Sequence, residues 1–476
     1  MSTTAFRSSH AWRIGLPVLG ALALHSASIH AAEPDADFKP AASRSVAVNR
    51  VAETPEYTRP PGRTTGAYGL DFLKSKADWL VFGLESRTRY ENRWHDYSAP
   101  KLPNDDAVVT RNLLYLGVTN ALDPLRFAVE LEDSRRFFSD SPDIPNAVNK
   151  LELLQAYAEL HFDRAFGNAP LSLSIGRMSF DAIDRRLIER TRNRNAMTAF
   201  DGIRLRLGDE NARWEVDAFA MRPVQRNVED LDHSSAKSTL YGITAYLRGC
   251  SPHLVIEPYW LWLDQRRQGD VSQRRNLHTF GFHAFGQWGA RSAWDYDVSL
   301  AGQLGTSGGL DHRAGAAHVE AGYTWDAAWK PRLALWFNYA SGDRNPKDGT
   351  DERFDSLFGD NFSFYSYAGY FTWQNMVNPA VRLSIQPAKK LKCEIIHRAI
   401  WLASDTDAWV RANRRDSTGR SGNYVGQETD GRVIWQVCPS FDIDLAYAHF
   451  FPGGFVSRTG AAPQSDFVQI AGTLRF

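Results

Sequence analysis

Arginine residues recur at two-residue spacing along this sequence, and their side chains can bind anions. Arg87 and Arg89 are two positions apart, and so are Arg204 and Arg206. A guanidinium group presents a planar fork of N–H donors, which can hold a carboxylate or a phosphate through two parallel hydrogen bonds. Residues spaced by two lie on the same face of a β-strand. The pattern therefore predicts a strand face that contacts anions, with Arg87, Arg89, Arg111, Arg126, Arg204, Arg206, Arg398, Arg432 and Arg475 on it.

Carboxylates fall on the same polar face and offer these arginines structural partners. The set comprises Glu85, Glu130, Glu132, Glu215, Asp217, Glu320, Glu394, Glu428 and Asp430. Two interpretations stay open at this point. In the first, each arginine forms an ion pair within a protein wall. In the second, the set forms a constriction that favours anions, because a ring of fixed positive charge lowers the entry barrier for anions and raises it for cations.

Other kinds of chemistry find little support in the sequence. It contains no GxSxG, HExxH or Walker motif, so we expect a protein that is not an enzyme and has no cofactor. The acidic stretch from Asp343 to Asp360 lacks the spacing of an EF-hand. We expect it to be a surface loop that touches divalent cations among lipopolysaccharide, and we expect no metal site. The balance of 55 basic and 55 acidic residues identifies no partner, and nothing indicates nucleic-acid binding.

The elements that would position the arginines are β-strands. At the carboxyl end Ile470, Leu474 and Phe476 alternate with Thr473 and Arg475, which is strand periodicity. The same alternation of apolar and charged residues recurs at 80–89, 125–132, 204–207, 294–300 and 332–339. A soluble sandwich and a membrane barrel both explain alternation. The terminal phenylalanine favours the barrel, where it would join the aromatic girdle at the membrane interface. No stretch after residue 32 approaches 18 uncharged apolar residues, and the mean hydropathy is −0.40, which together exclude a helical membrane protein.

The connecting segments predict the size of the barrel. Eight short turns rich in Gly, Pro, Asn or Asp alternate with nine long polar loops, which lie roughly at 93–109, 134–148, 181–198, 224–235, 266–274, 304–313, 342–377, 404–423 and 453–464. Brief periplasmic turns and long extracellular loops are typical of outer-membrane barrels. The count predicts an all-β fold, a transmembrane antiparallel β-barrel of about 18 strands with both termini on the periplasmic side. A barrel of 16–18 strands leaves an aqueous channel.

The amino-terminal segment predicts export. Arg7 and Arg13 precede an apolar run over 14–24 that leads to small residues at Ala31 and Ala32, the pattern of a secretory signal peptide. We assign residues 1–32 to the signal peptide, 33–77 to a proline-rich periplasmic linker or arm, and 78–476 to the barrel. The arm could instead plug the lumen or contact a periplasmic export partner. The expected location is the outer membrane of a Gram-negative cell, in contact with its lipids and lipopolysaccharide.

Several stretches resemble the alginate export family. They are SIGRMSFD from Ser174, RLIERTRN from Arg186, FDGIRL from Phe200, YASGDRNPKDG from Tyr339, FDSLF from Phe354, HRAIWLAS from His397 and GQETD from Gly426. The resemblance runs through the barrel from about residue 75. It implies an 18-stranded barrel that passes an anionic polyuronate outward through a pore lined with arginine and lysine, with Arg87 at the place of a basic pore residue. Met178 and Ser179 depart from the family, which has a second arginine there.

The expected function is therefore export of an anionic exopolysaccharide, with Arg87 and Arg204 as weak stepping contacts. The alternative is a porin that takes up small acidic or aromatic solutes, since the sequence does not fix the direction of transport. The loop at 181–198 bears on both, because it is dense in charge. We expect it to fold into the lumen and form a constriction, although a solvated loop that bridges to lipopolysaccharide is the other possibility. Its constriction candidates are Arg186, Arg190, Arg192 and Arg194.

Overall fold

The computed structural model describes residues 79–166, 169–209, 212–266, 274–289, 293–359, 362 and 364–476. The assigned signal peptide and proline-rich arm lie outside these residues and stay predictions. The described chain contains eighteen long strands and two strands of two residues. No helix among the described residues is long and apolar enough to cross a membrane.

The strands follow one another in chain order around the barrel. They are β1 (Leu80–Trp94), β2 (Asp105–Leu122), β3 (Leu125–Phe137), β4 (Asn149–Phe166), β5 (Ala169–Met178), β6 (Phe200–Gly208), β7 (Trp214–Gln225), β8 (His233–Ser234), β9 (Ser238–Ser251), β10 (Leu254–Gln265), β11 (Arg275–Trp288), β12 (Trp294–Ser307), β13 (Leu310–Thr324), β14 (Arg332–Ala340), β15 (Thr350–Asp351), β16 (Met376–Ala388), β17 (Leu391–Trp401), β18 (Tyr424–Cys438), β19 (Phe441–Pro452) and β20 (Ser465–Arg475), with a short helix α1 (Gly454–Thr459) before the last strand.

Pairing between the first and last strands closes the sheet. Arg87 on β1 lies opposite Arg111 of β2 on one side and opposite Thr473 of β20 on the other. Every long strand is antiparallel to both of its neighbours in the ring. Closure leaves no long edge strand, which a sheet inside a membrane requires. The predicted fold of about 18 antiparallel strands is confirmed.

The alternation of residue types along each strand places one set of side chains inside the barrel and the other set outside it. On β14 the side chains of Arg332, Ala334 and Trp336 are buried, whereas Leu333 and Leu335 are 40% and 61% exposed. Charged residues therefore face inward and apolar residues face outward, as a barrel surrounded by lipid requires. Exposed aromatic side chains gather where the short connections lie, and several of them contact one another, namely Trp288, Trp294, Tyr323 and Trp325. We call this the turn end and the opposite rim the loop end.

One predicted loop is wrong. Residues 304–313 form the tip of a hairpin between β12 and β13, and only Gly308 and Gly309 connect the two strands. Both glycines have positive φ, at 61° and 92°. Residues other than glycine adopt these angles reluctantly, and a two-residue turn of this kind suits the twist of paired strands. The cluster of glycines therefore marks a tight turn at the loop end.

Two long connections enter the barrel and fill much of its lumen. The first is residues 179–199, between β5 and β6, which we call the arginine loop. The second is residues 341–375, between β14 and β16, which we call the aromatic loop. The predicted surface position of the second loop is wrong for its aromatic part, because Phe354, Tyr365 and Trp373 are at most 1% exposed. Outside the barrel these rings would be exposed to water, and packing inside the barrel removes their apolar surface from it.

Candidate functional site: the lumen and its loop end

Three arginines of β1 and β2 hold the arginine loop against the barrel wall. The Arg87 guanidinium donates hydrogen bonds to the carbonyl oxygens of Arg192 and Arg194 at 2.8 and 2.9 Å. Arg111 donates to the same two carbonyl oxygens, and Arg89 donates to the carbonyl oxygen of Asn193 at 2.6 Å. These guanidinium groups provide hydrogen-bond donors for loop carbonyl oxygens that have no partner in a strand. Buried backbone carbonyl groups require such a partner. The loop that carries the constriction candidates lies inside the barrel.

Carboxylates of β3 complete the attachment of this loop. Glu130 accepts hydrogen bonds from Arg190 at 3.0 and 3.3 Å. Glu132 accepts from the backbone N–H of Met197 at 3.0 Å. The Asn195 side chain adds three hydrogen bonds to carbonyl oxygens of Thr110, Arg135 and Ala147. These contacts come from three separate segments of the chain, so they fix the loop at several points.

The aromatic loop attaches to β17 and β18 and meets the arginine loop. Ser366 donates to Glu428 at 2.7 Å, and Tyr367 donates to Glu394. The two loops contact each other where Phe358 donates its backbone N–H to the carbonyl oxygen of Leu187 at 2.9 Å. The Arg186 guanidinium lies 4.3 Å from the ring centroid of Phe364, a cation–π contact. The two loops therefore pack against each other inside the barrel.

Eight of the nine arginines predicted on the inner strand face have a carboxylate partner. Arg204 donates to Asp217 through Nε at 2.9 Å, and Arg432 donates to Asp444 at 2.7 Å. The other pairs are Arg89 with Glu91, Arg111 with Glu85, Arg126 with Glu159, Arg206 with Glu159, Arg398 with Asp430, and Arg475 with Glu85. Arg87 is the exception among the described contacts. Most of these arginines therefore take the wall-pair arrangement, and their contact with a transported anion stays a prediction.

A second set of arginines lacks carboxylate partners at the loop end. Arg194 of the arginine loop, Arg226 after β7 and Arg411 between β17 and β18 form no ion pair within 4.0 Å among the residues described. We call them the mouth arginines. Burial and then the positive charge of Arg194 lower the pKa of Arg226 to about 10. Partial desolvation, followed by the charges of Arg194 and Arg93, lowers the pKa of Arg411. Arg194 thus lies close enough to each of the other two guanidinium groups to lower its pKa, while Glu132 and Asp232 act in the opposite direction on Arg226 and Asp96 does so on Arg411.

Sequence patterns identified only one member of this set. Arg194 was a constriction candidate, whereas Arg226 and Arg411 fall in loops without strand periodicity. They approach Arg194 through contacts between distant segments, such as the hydrogen bonds from Arg226 to the carbonyl oxygens of Ala196 and Met197 at 3.1 and 3.0 Å. No local spacing could have indicated this arrangement. Arg186 and Arg192 are paired inside the lumen with Asp184 and Asp181.

The fold and the lumen define the class of protein first. A closed 18-stranded barrel with an apolar exterior and a charged, loop-filled interior is the architecture of an outer-membrane channel. The family model of alginate export matches residues 78–468. The chain therefore belongs to the alginate export family. Both the family and the fold indicate a channel rather than an enzyme.

Solved structures support the same architecture. OpdK of Pseudomonas aeruginosa, solved with vanillate, superposes with a TM-score of 0.58 at 12% identity, covering 84% of this chain and 99% of that one. OccD3 (OpdP) of the same organism gives 0.57 at 12% identity over 92% and 98%, and OprD gives 0.55 at 11% identity over 83% and 94%. At these identities the similarity establishes the fold alone. No curated protein matches the sequence.

Proposed function

We propose that this barrel conducts carboxylate-bearing solutes across the outer membrane, and that its substrate is an anionic exopolysaccharide of the polyuronate class. The mouth arginines carry the proposal. Among the described residues, Arg194, Arg226 and Arg411 have no carboxylate within ion-pair distance at the loop end, whereas most wall arginines are paired with neighbouring carboxylates. A polyuronate has one carboxylate per sugar, and guanidinium groups replace its lost hydration with charge-assisted hydrogen bonds. Membership of the alginate export family supports the choice of polymer.

The proposed route runs between the two inward loops. Arg87 lies beneath the arginine loop at 8% exposure, so it meets a polymer only if that loop moves from the wall. The proposed first contacts for a solute are the more exposed Arg194 and Arg411. Single contacts of this kind are weak enough to release the ligand, which conduction requires. The proposed direction, outward from the periplasm, rests on the family alone.

A second candidate function is uptake of small acidic or aromatic solutes. The packing of the aromatic loop favours it, because rings such as Tyr365 and Tyr370 occupy space that a polymer would need. OpdK, which shares the fold, was solved with the aromatic acid vanillate. A narrow lumen with basic residues at its mouth suits a single-ring carboxylate as well as it suits a uronate chain.

Current block in planar bilayers separates the two candidates. Uronate oligomers of increasing length are added to wild-type channels at low salt, and vanillate is added in parallel. If the substrate is a polyuronate, block should strengthen with oligomer length and weaken as salt screens the charges, since the Debye length falls to about 8 Å at 0.15 M. If uronate oligomers leave the current unchanged and vanillate reduces it, polyuronate export is the wrong function and uptake of small acids replaces it.

A further inference from the structure

A histidine and two aspartates meet inside the barrel at a place that the transport proposal does not use. His283 of β11 and Asp297 of β12 belong to the wall, and Asp184 belongs to the arginine loop. Ligand atoms of the three residues all lie within 4.8 Å of one another. The Nε2 atom of His283 is 3.2 Å from Oδ1 of Asp297. All three side chains are at least nine-tenths buried.

A fourth residue orients the imidazole toward the aspartates. The carboxylate of Glu257 on β10 accepts a hydrogen bond from Nδ1 of His283 at 3.3 Å. With Nδ1 donating to Glu257, Nε2 is the nitrogen that faces Asp297, and in a metal-bound form its lone pair would be the ligand. The Nε2 atom is buried and makes no hydrogen bond of acceptable geometry. A carboxylate behind a histidine whose other nitrogen points at further ligands is the common arrangement around protein-bound zinc.

The net charge of the groups at this site is negative, which favours binding of a cation. Asp184, Glu257 and Asp297 are three carboxylates, and Arg186, whose Nε lies 2.9 Å from Asp184, contributes one guanidinium. If His283 is neutral, and so is His318, whose Nε2 atom is 3.8 Å from Oδ1 of Asp297, these groups sum to a charge of −2 in a region where uncompensated charge is costly. A divalent ion would balance that sum.

We propose that Asp184, His283 and Asp297 bind a Zn²⁺ ion, with Glu257 as a positioning residue behind His283. Metal–ligand distances of about 2.1 Å in a tetrahedral site put neighbouring ligand atoms about 3.4 Å apart, close to the separation of His283 from Asp297. Imidazole favours zinc over calcium or magnesium, which prefer all-oxygen sites. The proposal replaces the earlier expectation of no metal site and does not depend on the identity of the transported solute.

The position of Asp184 gives the ion a structural consequence. Asp184 is near the start of the arginine loop, and Arg87 and Arg111 hold that loop farther along at Arg192 and Arg194. A zinc ion would tie the loop to β11 and β12, on the side of the lumen away from β1. The loop that narrows the channel would then be fixed to the wall at both of its ends.

The test is zinc binding to the full-length folded barrel in detergent, after treatment with EDTA and removal of the chelator. Calorimetric titration with ZnCl₂ and elemental analysis of the dialysed protein should both give one zinc per chain. His283→Gln and Asp184→Asn should abolish that binding, and Glu257→Gln should weaken it about 10- to 100-fold. His278→Gln is the matched control, because His278 is on the same strand but stacks on Trp260 and Trp262 on the outer face.

Asp184→Asn keeps the result interpretable if His283→Gln fails to fold, because Asp184 lies in a loop and takes no part in strand pairing. Folding of each variant is checked by the heat-dependent mobility of the barrel in SDS gels. If the wild-type barrel binds no zinc, a second proton on His283 holds the carboxylates instead and the proposal is wrong. Equal zinc binding by wild type and Asp184→Asn would also overturn it.

Discussion

The guanidinium group of Arg87 donates a hydrogen bond to the backbone carbonyl oxygen of Arg192 at 2.8 Å. A residue of the first strand thereby holds a loop that begins after the fifth strand. Hydrogen bonds from charged donors each contribute about 1.5–3 kcal/mol, so Arg87 adds substantially to the anchoring that Arg89 and Arg111 also provide. The position of the loop that carries the constriction candidates consequently depends in part on a wall residue that is itself almost buried.

Replacing Arg87 with alanine should loosen the arginine loop around Arg192 and Arg194, where Arg111 still holds it, without unfolding the barrel. Two hydrogen bonds to loop carbonyls disappear, whereas the strand pairing of β1 is unchanged. We expect a higher or noisier single-channel conductance and unchanged heat-dependent mobility in SDS gels. Arg126→Ala is the control, because Arg126 pairs with Asp123 and Glu159 and is not bonded to the loop. Equal effects of the two substitutions, or an unfolded Arg87→Ala barrel, would contradict this role.

The orientation of the barrel can be tested by cysteine labelling on intact cells. In a background without Cys250, Cys393 and Cys438, single cysteines replace Asn345 in the aromatic loop or Lys389 at the turn end, both of which are exposed. A membrane-impermeant maleimide should label the cysteine at 345 and spare the one at 389 until the outer membrane is permeabilised. Labelling at 389 alone on intact cells would reverse the predicted topology.

Asp343 should lower the stability of the loop end at neutral pH. Desolvation and then the neighbouring Asp407 and Asp351 raise its pKa above the ordinary value. A carboxyl group whose pKa is raised by folding stabilises the folded state while protonated, and that contribution is lost as the pH rises through the folded pKa. Asp343→Asn should therefore raise the thermal unfolding midpoint at pH 7.5, and the gain should shrink toward pH 4. The exposed Asp311→Asn is the control, and a lower midpoint for Asp343→Asn at pH 7.5 would refute the argument.

Period-two patterning was sufficient to predict the strands but not the contents of the lumen. Arg332 and Leu333 point in opposite directions because successive side chains of a strand lie on opposite faces of the sheet. The residue types then indicate which face is charged and which is apolar. Tyr367 reaches Glu394 only after the aromatic loop turns inward, and no local pattern encodes such a contact between separate segments. Gly308 and Gly309 misled the connector assignment, since glycine marks tight turns and open loops alike.

The mouth arginines were missed for the same reason. Arg226 and Arg411 are far apart in sequence from each other and from Arg194, and only the barrel brings their loops together. Arg204, by contrast, was correctly placed on the inner face, although its pairing with Asp217 on the next strand depended on the register between β6 and β7. Residue periodicity thus predicts which way a side chain points, and topology decides its partner.

The most direct test of the proposed function is the reversal potential across a bilayer with a KCl gradient. Wild-type channels should prefer chloride, and a triple variant with Arg194, Arg226 and Arg411 changed to glutamine should lose most of that preference. The charge-matched control changes Arg135, Arg313 and Arg344, three exposed arginines that already lie near Asp133, Asp311 and Glu352, and it should retain the preference. A wild-type channel that prefers potassium, or a control that loses selectivity as fully as the mouth variant, would contradict the account.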